Sequence, residues 1–82
     1  MLKTVRSQDY KKLLALLIAA RKRAGLSQRE IAKAIAEPQS WVSKGENGER
    51  RLDLIELVAI LRALGLKPRR FIMRALREIG VE

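Results

Sequence analysis

An all-α domain of about five helices is the fold class this sequence predicts, and three observations carry it. Apolar residues recur with a period of about 3.6 residues in several successive segments, and no alternating run competes with them. Glycine and proline are scarce, five and two in 82 residues, and they fall between those segments instead of inside them. Each segment opens on a residue suited to start a helix: Ser7, Ser27, Pro38, Asp53 or Pro68.

In the first segment Tyr10, Leu13, Leu14, Leu17, Ala20 and Ala24 share a stripe, Ser7 stands at the N-cap, and Gly25 sits where a left-handed C-terminal residue belongs. Leu16 and Ile18 flank the stripe by roughly 100° each, so this long helix is expected to be buried on more than one side. Ser27-Gln28-Arg29-Glu30 is a capping box, with Ser27 taking the Glu30 amide and Glu30 returning to the Ser27 amide. It opens a second helix with Ile31, Ala32 and Ile35 inward, ended by Glu37-Pro38 because a residue before proline is driven out of the helical region. Pro38 opens a third helix through Lys44 with Val42 inward, and Gly45-Glu46-Asn47-Gly48 breaks it. Asp53 caps a fourth, with a stripe of Leu54, Leu57, Val58, Leu61 and Leu64, closed by Gly65. Lys67-Pro68 starts a fifth over about residues 68–80. Phe71, Ile72, Ala75, Leu76 and Ile79 line one of its faces, and Arg70, Arg74 and Arg77 another, expected to face solvent.

Composition narrows the function. Eighteen Lys and Arg against nine Asp and Glu leave a net charge of +9, the balance of a protein that meets phosphate backbones. With no Cys and no His, disulfides and the usual metal ligands are missing, so neither a metal site nor a cofactor is expected, and a reducing, cytoplasmic setting fits. Most acid-base catalysis is excluded on the same ground, so no enzyme is expected. The longest apolar run, residues 13–20, is far below the ~20 residues of a bilayer span, so no membrane association is expected. Residues 1–6 are basic, but no apolar stretch with a cleavage site follows, which argues against a secretory signal. Residues 1–82 thus read as a single domain.

A capped short helix, a turn, and a second short helix carrying small polar side chains form a helix-turn-helix, here about residues 27–45, whose second helix enters the major groove. Gly25-Leu26-Ser27-Gln28-Arg29-Glu30-Ile31-Ala32, then Pro38-Gln39-Ser40-Trp41-Val42-Ser43-Lys44 and Glu46-Asn47-Gly48-Glu49-Arg50, resemble the Cro and lambda-repressor-type (XRE-like) helix-turn-helix family over about residues 10–72. The resemblance implies a five-helix lambda-repressor-like domain that binds double-stranded DNA, usually as a homodimer on a palindromic operator.

Carried over by residue, it implies that Gln28 binds a phosphate and braces Gln39, which pairs with adenine, and that Ser40 and Lys44 reach base edges. An amide matches adenine N6 and N7, and Lys can donate to guanine O6 and N7. Ser43, Asn47 and the amides near Gly48 are placed for phosphates. Arg50 and Arg51 either touch phosphate or the minor groove or remain solvated. Trp41 fits partial burial better than base contact, and Lys3 and Arg6 suit a frayed terminus better than an arm along DNA. An ion pair between Arg21 and Glu46 is also implied.

Two residues depart from the family pattern. Gly45 replaces a bulky apolar residue, which leaves the end of the third helix loose or repacked under Trp41, and predicts that Tyr or Ile there would stabilise. Ala36 replaces a turn glycine, so the turn either avoids positive φ or tolerates strain. Phe71, Ile72, Leu76 and Ile79 offer more apolar surface than the short central helices can cover, which makes this face the expected dimer contact, with docking onto the first helix as the rival. A transcriptional repressor is the leading expectation. The alternative is an antitoxin-type module that binds a toxin protein and represses its own operon.

Overall fold

A computed structural model of the chain describes residues 7–80, which form α1 (Gln8–Arg23), α2 (Gln28–Ala34), α3 (Gln39–Glu46), α4 (Leu54–Ala63) and α5 (Pro68–Ile79). Among the described residues there is no strand. Lys3 and Arg6 lie outside them. The expected caps are in place: the Ser7 hydroxyl accepts from the Tyr10 amide at 3.0 Å, and Ser27 and Glu30 form the reciprocal capping box at 3.1 and 2.9 Å. The Ser27 amide, then its hydroxyl, holds the Glu30 carboxyl below its ordinary value. Asp53 and Glu56 form a second capping box, which the Asp53 cap alone did not reveal.

Helix ends depart from the sequence reading at two places. α2 stops at Ala34, short of Glu37-Pro38, because Ala36 takes φ +57° and closes a Schellman cap in which the Glu37 amide donates to the Ala32 carbonyl and the Ala36 amide to that of Lys33. Gly25 makes the same cap on α1 without penalty, whereas the Ala36 Cβ costs about 1 kcal/mol in the left-handed region. The turn therefore tolerates the strain. α3, in turn, does not break at Gly45 but runs through it to Glu46.

The reason lies in the packing. Gly45 is buried, and a Cβ there would meet the Leu52 Cδ2 at 3.1 Å. Leu52, from the segment between α3 and α4, thus fills the space left by the missing side chain, and Trp41 does not. The Tyr10 hydroxyl accepts from the Leu52 amide at 3.0 Å and ties that segment to α1.

The core is the single cluster Leu17, Ile31, Ala32, Val42, Leu57, Ile60, Leu61 and Leu64. Ile60, outside the expected α4 stripe, is buried, while Leu54, inside it, is 61% exposed at the first turn. α5 lies along α1 with Ala75 buried, and Phe71 and Ile72 pack on the core. Phe71 and Ile72, expected at a dimer contact, are partly buried against the chain's own core. Met73 and Leu76 stay accessible because they lie on the far side and flank of α5 from that contact, and Ile79, on the inner side, is half-buried at the helix end. Among the described residues no helix is long and apolar enough to cross a membrane, and no His, Cys, Asp or Glu cluster could hold a metal.

Candidate nucleic-acid interface

With Val42 and Gly45 buried, the helical rotation of about 100° per residue turns Ser40, Ser43, Lys44 and Asn47 to the outer side of α3 and sets Gln39 at its edge. Gln39, Ser40, Lys44 and Asn47 are exposed and Ser43 is half-buried, so four polar side chains share one outward face with Gln39 beside them. Such a helix, held by only its apolar side, can enter a groove about 12 Å wide without uncovering core.

The ion pair expected between Arg21 and Glu46 is present and fixes that helix. Arg21 donates from Nε to Glu46 Oε2 at 2.6 Å and from Nη2 to Oε1 at 3.0 Å, and its Nη1 donates to the Leu26 carbonyl at 2.9 Å. The two side chains are 12% and 8% exposed. Glu46 also accepts from Gln28 Nε2 at 2.9 Å. The brace expected from Gln28 to Gln39 thus runs to Glu46: the first residue of α2 grips the last residue of α3. The last carboxylate of α3 is thereby neutralised and turned away from the polar face, where it would repel phosphates.

Beyond α3, Arg50 and Arg51 part ways. Arg51 is exposed, whereas the Arg50 guanidinium lies 4.0 Å over the Trp41 ring and donates from Nη1 to Glu56 at 3.3 Å. Arg50 Nε and Nη2 are covered and have no hydrogen-bond partner among the described residues, while the side chain as a whole stays about a third exposed, so Arg50 braces the loop against Trp41 at the surface. Composition did not reveal this stacking; an aromatic followed nine residues later by Arg is no pattern by itself. Asn47 Nδ2 donates to Glu49 at 3.3 Å, which orients it at the end of α3.

Charge is distributed unexpectedly. Residues 27–51 hold five cations against four carboxylates, so little of the +9 excess sits on the two helices of the motif. Residues 67–80 hold five cations against a single carboxylate.

The comparisons with known proteins fit this geometry. A family model described as helix-turn-helix matches residues 17–71. The chain is similar to an XRE-family-like protein from Pseudomonas syringae pv. tomato str. DC3000, at 42% identity over 93% of each chain with a TM-score of 0.86. It shares its fold with the clp gene regulator ClgR from C. glutamicum, at 22% identity over 94% of this chain and all of the other, with a TM-score of 0.76. No curated protein matches.

Proposed function

The chain belongs to the XRE-type helix-turn-helix family of DNA-binding transcription regulators, and from that premise we propose that it is a repressor that binds a palindromic operator as a homodimer. The observation that carries the reading is the outward polar face of α3, locked to α1 and α2 through Glu46 while its apolar side is held in the core. Gln39, Ser40 and Lys44 read base edges, with Gln39 pairing to adenine. Gln28, Ser43, Asn47 and Arg51 contact phosphates, which set register without reading sequence. Arg50 positions the loop through Trp41 and does not itself reach DNA. One protomer supplies one recognition helix, and a second copy placed against Leu76, Met73 and Ile79 supplies another about one turn of DNA away. The protein works in the cytoplasm.

Selection of bound sequences from a random duplex library tests this directly. A two-fold symmetric motif is expected. An enriched motif without symmetry would overturn the homodimer, and no enrichment would overturn sequence-specific readout.

A further inference from the structure

Part of the charge that the helix-turn-helix does not hold lies on a different face. α1, the α4–α5 turn and α5 enclose an open groove of about 850 Å³, and no residue of α2 or α3 lines it. Its floor is apolar, formed by Leu16, Ala20, Leu66 and Phe71. Its rim is predominantly cationic: Lys67, Arg70, Arg74 and Arg77 along α5, with Arg23 from α1, against the single carboxylate of Glu78. Among the described residues the ion pairs are Arg21 with Glu46 and Arg50 with Glu56, so none of these five cations has a carboxylate partner. Arg70, Arg74 and Arg77 are all exposed, at a helical spacing that sets them in one row.

We propose that this groove is a docking site for an acidic amphipathic helix of a partner protein. The row from Lys67 to Arg77 spans ten residues, about 15 Å at the rise of an α-helix, and Leu16, Ala20 and Arg23 line the α1 side at a helical spacing. A helix laid in this trough sets apolar side chains at i, i+4 and i+7 on the floor and carboxylates against the rim. A small anion would engage one or two cations and leave the floor unused. A DNA backbone would meet the rim but press phosphates and sugars onto apolar surface. A second copy seated in the groove itself would set its Arg70, Arg74 and Arg77 row against this one, whereas the proposed dimer meets on Leu76 and Met73 outside the groove lining.

The test uses a fluorescent synthetic helix of about 18 residues, with leucines on one stripe and glutamates flanking it, and a scrambled peptide of identical composition. Anisotropy should show the patterned peptide binding at micromolar Kd and the scrambled one at least about tenfold weaker. Amide chemical-shift changes should centre on Leu16, Ala20 and Phe71. Charge reversal in the Arg70→Glu/Arg74→Glu variant should weaken the patterned peptide about tenfold or more while weakening duplex binding by much less, no more than the added negative charge imposes on any duplex, since no residue of α2 or α3 lines the groove. No binding up to about 1 mM, equal binding of both peptides, or shifts outside the groove would overturn the proposal. So would a variant that loses duplex binding in step with peptide binding, which would make the face a backbone contact. Duplex binding of the unmodified protein is measured alongside, so failure of the peptide arm is separable from failure of the DNA reading.

Discussion

Replacing Glu46 by Ala removes the acceptor for three donors at once: Arg21 Nε at 2.6 Å, Arg21 Nη2 at 3.0 Å and Gln28 Nε2 at 2.9 Å. At 12% exposure the guanidinium left behind is poorly hydrated, and stripping one member from a buried pair costs about 3 to 5 kcal/mol. Arg21 keeps its bond to the Leu26 carbonyl, which pulls the expected loss to the lower end, about 3 kcal/mol. In a domain whose whole stability is about 5 to 10 kcal/mol, that is a large fraction. At about 4 to 8 °C per kcal/mol, the melting temperature should fall by about 12 to 24 °C. Urea and thermal unfolding followed by far-UV circular dichroism measure it, with an unchanged denaturant slope confirming that only stability moved. The double variant Arg21→Met/Glu46→Leu should lose less than Glu46→Ala, because no charge is stranded. A loss below about 1 kcal/mol for Glu46→Ala, the value of a solvated pair, would refute the reasoning.

Gly45→Ile should destabilise by about 1 to 3 kcal/mol, since Leu52 already occupies the space, and combining it with Leu52→Ala should recover part of the loss in urea unfolding. Gln39→Ala should cost about 1 to 3 kcal/mol on the preferred duplex and little on random DNA in titrations; equal losses would remove Gln39 from the base readers. Glu30 has a depressed folded-state pKa, so its contribution is present above the unfolded value and is lost as pH falls through the folded one. Acid titration of amide signals in α2 should show this fraying at its first turn, and Glu30→Gln should abolish the pH dependence. Leu76→Glu should leave the chain folded, because Leu76 is 38% exposed, but monomeric by sedimentation; a monomeric parent protein would disprove the dimer face.

The five helices were legible in the sequence because their signals are local. Ser27 and Glu30 cap the helix they belong to, Pro38 and Pro68 act on their own backbone, and the apolar stripe of α1 needs only the helical period to be seen. The same holds for the polar face of α3, since Val42 by itself marks which side turns inward. Where neighbours distant in the chain compete for one space, the sequence left the outcome open. Gly45 reads as a helix breaker until Leu52 is seen filling its place, and Arg50 reads as a loop charge with no visible partner until its contacts with Trp41 and Glu56 are seen. Periodicity marked five apolar residues on α5, but only the docking of α5 on α1 decided that Phe71, Ile72 and Ala75 face the chain's own core while Leu76 faces out. Local hydrogen bonds and backbone sterics act over three or four residues and so can be read along the chain; burial and ion pairing depend on which surfaces meet, and tertiary packing alone settles that.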